Sequence, residues 1–321
     1  MMHTFTAKLK KLLRDTLLLY WELLKIMVPV MILVKLAVEF GIIEMVGNAI
    51  RPVMQWVGLP GEIGFVWVTA MVVNIYAGAA ALLTLLPEHP LTIAQATVLG
   101  SMILIAHSLP IELRVAQKAG AGICFTCGLR LIGALVYGML LTTLYSGLPE
   151  FQQTAQVVFL TVSPPAQEWL PWAIGSIRTL ISIFWIILVL LFVLNLFDLL
   201  KITGFISRLL SPFLRLMGIG EQATAMTMAG TLLGLSYGGA LIIKEARSGN
   251  LPDKEIFLSL CFMSLCHSLI EDTLFVMAFG GHYFGLLIGR FLFALIVMMG
   301  LAHAVHRLPA LTFRRYLFHA D

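Results

Sequence analysis

Sliding the sequence against itself by 160 residues aligns its two halves without a gap, and this constrains the fold more than any other feature. His107-Ser108-Leu109 falls on His267-Ser268-Leu269 (267 − 107 = 160), and Arg130 falls on Arg290. Pro52, Gly58, Gly78 and Gly120 fall on Pro212, Gly218, Gly238 and Gly280. Coincidences of Leu or Ala carry little weight where 60% of residues are hydrophobic, whereas His, Arg, Pro and Gly recurring at one offset do. The chain therefore reads as two copies of one unit.

The solvent of that unit is lipid. Only 12% of the 321 residues are charged, about half the roughly 25% usual in soluble domains, and the mean hydropathy is +0.95. Apolar stretches fall near 17–45, 63–86, 94–121, 122–146, 174–200, 222–243, 255–280 and 282–305. The basic start (Lys8, Lys10, Lys11, Arg14) leads into a stretch too long for a signal-peptide core and without a small-residue cleavage site, so it reads as a retained first helix. No basic stripe with interleaved aromatics is present, which excludes nucleic acid as a partner. Cys124, Cys127, Cys261 and Cys266 all fall in apolar segments and read as small thiols packed between helices; Cys124-x-x-Cys127 has no second pair to complete a metal or redox motif.

Short cytoplasmic loops are enriched in Lys and Arg. The N-terminal stretch is basic, the connector 147–171 has no Lys or Arg, and the end of the chain is basic again (Arg307, Arg314, Arg315). Each half then crosses an odd number of times, and the copies are inverted. One of four segments per half must fail to span. Lys201, Arg208 and Arg215 precede 222–243, and Lys244, Arg247 and Lys254 follow it, so this segment enters and returns on one side. Its centre, Gly234-Leu235-Ser236-Tyr237-Gly238-Gly239, suits a hairpin tip, with Asn74-Ile75-Tyr76-Ala77-Gly78 as its counterpart. The predicted fold is an all-α polytopic membrane protein of two inverted repeats, each with three spanning helices and one re-entrant hairpin. The first repeat covers 1–146, an external connector 147–172, the second repeat 173–306 and a cytoplasmic tail 307–321. The expected location is the inner membrane, with both termini cytoplasmic.

The third and seventh segments carry ionisable groups near mid-membrane, where they cost several kcal/mol unless paired or solvated and so point to function. They are His107-Ser108-Leu109-Pro110-Ile111-Glu112 and Cys266-His267-Ser268-Leu269-Ile270-Glu271-Asp272. Pro110 removes a backbone hydrogen bond and favours a local break. On a helix, His267 and Glu271 are four apart and share a face; with His107 they are the candidate metal ligands. Proton relay and hydrogen bonding to a neutral solute are two other uses of the same groups. Arg130 lies 18 residues after Glu112 and Arg290 lies 18 after Asp272 (130 − 112; 290 − 272), so one structural ion pair is expected in each half.

Two four-segment units, each with a Gly- or Asn-bearing hairpin followed by a polar, broken segment, resemble the nucleoside-recognition (Gate) domain family. That group includes the spore maturation A and B membrane proteins, the membrane part of the ferrous-iron permease and, more distantly, concentrative nucleoside transporters. The resemblance covers roughly residues 20–305 and rests on Asn74 to Gly78, Gly234 to Gly239, His107 to Glu112 and His267 to Asp272. It implies that the hairpin tips and broken segments line a site: Asn74, Tyr76, His107, Ser108, Glu112, Ser236, Tyr237, His267, Ser268, Glu271 and Asp272. No G-x-x-x-x-G-K-[ST] phosphate loop occurs, so the expected function is secondary transport of a small polar solute or ion. The alternative is a non-transporting accessory protein of a larger complex. An enzyme is not expected, since adjacent His107 and Ser108 would point about 100° apart on a helix. Expected partners are the bilayer and the solute or ion; a homo-oligomer is allowed, and no cofactor is expected beyond a bound metal ion.

Overall fold

A computed structural model describes residues 2–158, 168–234, 243–244 and 251–319. Among them helices are the only regular elements, as apolar solvent demands, because a helix satisfies its own backbone. In chain order they are α1 (Met2–Glu39), α2 (Ile42–Trp56), α3 (Gly64–Val72), α4 (Ile75–Leu85), α5 (Ile93–Ile105), α6 (Leu109–Lys118) and α7 (Ile123–Ser146). The second half has α8 (Trp169–Leu199), α9 (Ile202–Leu216), α10 (Glu221–Leu233), α11 (Asp253–Leu265), α12 (Glu271–Met277), a π-helical turn (Phe284–Gly289) running into α13 (Arg290–Arg307), and α14 (Ala310–Tyr316).

Among the described residues five stretches are long and apolar enough to cross a membrane: Leu12–Glu39, Ile93–Lys118, Ile123–Ser146, Trp169–Phe197 and Phe284–Arg307. The sequence predicts a sixth at 255–280. That segment is divided into α11 and α12 by non-helical backbone over 266–270, a longer interruption than the one at 106–108 inside Ile93–Lys118.

Backbone conformation repeats with the sequence. The bounds of α2 and α9, and of α5 and α11, differ by 160 at both ends (202 − 42, 216 − 56, 253 − 93, 265 − 105). Left-handed residues pair at the same offset: Gly41 with Lys201, Gly58 with Gly218, Ser108 with Ser268, and Gly120 with Gly280. Lys201 and the two serines hold this conformation without being glycine, so surrounding packing imposes it.

α2 and α9 lie in stretches that the sequence reading leaves as loops. Each is amphipathic: Ile43, Gly47 and Met54 of α2 are buried on one face, as are Leu210 and Leu214 of α9. Charges such as Arg51 and Arg208 interrupt the apolar run, so a search for continuous hydrophobicity passes over a 3.6-residue period. Their outer faces are apolar too, with Ile42, Met45, Phe205 and Leu209 exposed, as suits helices lying against lipid.

α3 and α4 pack against each other on either side of a break at Val73-Asn74. Asn74 is extended, and its side chain caps α4 by accepting from the Ala77 amide at 2.8 Å. A Cβ at Gly78 would lie 2.6 Å from that of Ala70, so glycine permits this approach. In the second half α10 ends at Gly234 (φ 99°). Ser236, Tyr237, Gly238 and Gly239, the predicted second tip, lie outside the described residues.

The segment after each half folds over a turn of the other half. After α7, the Val158 amide donates to the Ala278 carbonyl of the second half and the Ala155 amide to the Leu91 carbonyl of its own half, both at 2.8 Å. After α13, the His319 amide donates to the Gly120 carbonyl at 2.7 Å and the Gly122 amide to that of Leu317 at 2.9 Å. Arg314 pairs with Asp253 at 2.7 Å, and Phe313 and Phe318 are buried. Residues 310–319, expected as part of a tail, form a docked helix and a short extended end.

Of the cysteines, Cys261 and Cys266 are buried as expected, Cys127 is half-buried and Cys124 is exposed. Cys124 stands on the face of α7 that also exposes Ile132, Val136, Leu140 and Leu144 at four-residue spacing, a lipid-facing stripe. Apolar surroundings in sequence therefore do not amount to burial between helices.

Candidate functional site

The site begins with two interrupted helices. α5 stops at Ile105, and the chain passes through Ala106 and His107 to left-handed Ser108 (φ 49°) before α6. α11 stops at Leu265, and the chain passes through left-handed Ser268 (φ 44°) before α12. Pro110 sits at the start of α6, where a proline is accommodated. The second half breaks without a proline, and over a longer stretch, so Pro110 is not the cause common to both breaks.

Several of the freed backbone groups find new partners. The Ile103 carbonyl, which would serve the amide of residue 107 in a continuous helix, takes the His107 imidazole at Nδ1, 2.8 Å away. Met263 and His267 repeat this at 2.8 Å. The Ser108 amide donates to the Ala70 carbonyl of α3 at 3.0 Å, and the Leu269 amide to the Thr231 carbonyl of α10 at 2.8 Å. Arg130, fully buried on α7, donates through Nε to the Ile105 carbonyl at 2.8 Å and through Nη2 to the His107 carbonyl at 2.9 Å. Arg130 thus stabilises non-helical backbone where water is scarce.

The imidazoles of His107 and His267 meet at the centre. Because a carbonyl only accepts, both Nδ1 atoms carry a proton, and both rings turn Nε2 toward the centre. These Nε2 atoms are 3.3 Å apart. Glu112 Oε1 lies 3.4 Å from His107 Nε2 and 3.2 Å from His267 Nε2. Asp272 Oδ2 lies 3.7 Å from His107 Nε2. The other oxygen of Glu112, Oε2, accepts from Arg130 Nη1, which fixes the carboxylate toward the pair. His107, Glu112, His267 and Asp272 are exposed by 4, 7, 1 and 9%, so the cluster is closed on all sides.

The structure sorts the remaining candidates. Ser108 and Ser268 supply the left-handed backbone, and Ser268 Oγ lies 3.0 Å from where a Cβ on Gly234 would stand. Asn74 acts as a helix cap, and the Tyr76 ring packs on Phe275 with centroids 4.8 Å apart. Two expectations are corrected. Glu271 is outside the three-residue cluster, and Glu112 stands in its place as the carboxylate beside both histidines. The four-residue spacing of His267 and Glu271 has no helical meaning, since the helix is interrupted between them. The ion pair expected in both halves forms only as Arg130–Glu112. Arg290 instead donates to Thr273 Oγ1 at 3.2 Å and to the Leu104 carbonyl at 3.4 Å, leaving Asp272 turned toward His107. Thr273 and the carbonyls of Leu104 and Ile105 were not foreseen; their only signal is adjacency to the polar motifs.

Apolar helices of spanning length around a buried polar centre define a multi-pass membrane protein. Residues 20–121, from α1 to the end of α6, match the family model described as Gate, nucleoside recognition, which bears out the resemblance drawn from the motifs. The chain is similar to a Bacillus subtilis (strain 168) protein described as "Uncharacterized membrane protein YvoD". The two are 28% identical over 288 residues, covering 88% of this chain and 90% of the relative. No solved structure matches.

Proposed function

We propose that the protein is a secondary transporter that moves a small polar solute or ion across the inner membrane, with its site where two inverted repeats meet. One observation carries this reading: His107 and His267, 160 residues apart, meet at 3.3 Å inside two interrupted helices. Intersecting broken helices around a buried polar centre are a recurrent plan of carriers built from inverted repeats.

The ends of the bundle support the orientation. Lys118, Lys254, Arg307, Arg314 and Arg315 gather with the turn at Gly120 and the docked end of the chain, which favours the cytoplasmic side. The opposite end, where residues 153–158 meet Leu91 and Ala278, has no Lys or Arg in those segments. Gly58 accepts from Gln95 near that end through its carbonyl, and α4 leads back to Leu91 there, which supports a re-entrant α3–α4 pair. A closed site reached from alternate sides requires these elements to move, as in alternating access. Among the described residues neither imidazole bonds a Ser, Thr or Cys side chain, so no activated nucleophile there favours an enzyme.

The test is flux into proteoliposomes of candidate organic solutes, divalent cations and protons. Flux of at least one species is expected, and the His107→Ala/His267→Ala double variant should lose it. Undiminished flux in that variant would remove the histidine pair from the pathway.

A further inference from the structure

We propose that the His107–His267–Glu112 cluster is a binding site for one first-row divalent transition-metal ion, such as Mn²⁺, Fe²⁺ or Zn²⁺. Its role as cargo rests on the transport reading above; its existence as a site does not.

The argument is geometric. His107 Nε2, His267 Nε2 and Glu112 Oε1 form a triangle with edges of 3.3, 3.2 and 3.4 Å. Donor atoms about 2.0–2.1 Å from one tetrahedral ion stand about 3.3–3.4 Å from each other. The triangle therefore has nearly the size of one face of a ligand tetrahedron. A shared proton would draw one pair toward the usual hydrogen-bond length of about 2.9–3.0 Å and leave the others longer. Three nearly equal edges fit a common central atom better.

The surroundings agree. A ligating histidine usually donates its other ring N–H to a carboxylate or backbone carbonyl, which sets the tautomer and the aim of the ring. Both rings do so, at 2.8 Å, to the carbonyls of Ile103 and Met263. Arg130 orients Glu112, and Asp272 Oδ2, 3.7 Å from His107 Nε2, supplies a further oxygen beside the triangle. Two imidazoles and carboxylate oxygen suit borderline divalent ions. Cys266 is not in the cluster despite preceding His267, so the donor set lacks the thiolate that would favour Cu(I).

The test is Co²⁺ binding to the purified full chain in detergent, read by visible absorption with Zn²⁺ as competitor. One Co²⁺ per chain is expected, without a thiolate charge-transfer band. His107→Gln and His267→Gln should each weaken binding at least about tenfold, and Cys266→Ala should leave it unchanged. Wild-type protein loaded with Cu²⁺ gives a reading that needs no variant to fold, since electron spin-echo modulation should count two imidazoles. No saturable Co²⁺ binding, binding unchanged in both histidine variants, or Cu²⁺ bound without imidazole would overturn the site. Proton or organic-solute flux without Co²⁺ binding would defeat the metal site and spare the transport reading. Stoichiometric Co²⁺ binding without flux of any species would support the site and defeat transport.

Discussion

Changing Arg130 to Ala is expected to lower stability by about 3–5 kcal/mol, the range for removing one partner of a buried ion pair. Arg130 is fully buried, and it satisfies Glu112 together with the carbonyls of Ile105 and His107. Its loss leaves Glu112 Oε2 and two carbonyls without that donor at a depth where water cannot replace it. Glu112→Gln in the Arg130→Ala background should recover part of the loss by removing the unpaired charge. Denaturant unfolding in micelles measures both. A loss under about 1 kcal/mol, typical of an exposed ion pair, would mean that Arg130 does not hold the broken helix.

Phe318→Ala should also be costly, by about 3–5 kcal/mol if its site behaves as a core position. The ring is 2% exposed, stacks on Phe313 with centroids 5.8 Å apart and covers left-handed Gly120. A Cβ at Gly120 would meet the ring at 2.5 Å, so the turn and the aromatic are matched in shape. Removing the ring should undock residues 310–319 and expose the 118–122 turn to proteolysis. A variant that unfolds and resists protease like the parent would show that Phe318 does not hold residues 310–319 in place.

Much of this architecture was legible in the sequence, because the repeat is carried by residues that packing and backbone geometry restrict. Gly58, Gly120 and their partners recur since left-handed turns need them, and His107 and His267 recur because they meet. The Arg130–Glu112 pair was foreseen from spacing alone. What was not legible depends on how broken helices cross. Helical spacing linked His267 to Glu271, but interruption of the helix cancels that relation, and Glu112 of the other half takes the place. Arg290 turns to Thr273 and Leu104 for the same reason, since long-range packing sets its reach. The amphipathic helices α2 and α9 were hidden by their charges, which mark the membrane boundary as readily as a loop does.

The central claim is that His107 and His267 serve one site at the meeting of the two halves. A double-mutant cycle on Co²⁺ and proton flux in proteoliposomes, using His107→Ala, His267→Ala and the pair, tests it most directly. Residues that act as one unit show coupling of about 0.5–3 kcal/mol. The account predicts that either single variant removes most of the flux and that the pair loses little more. A double loss equal to the product of the two single losses would contradict it.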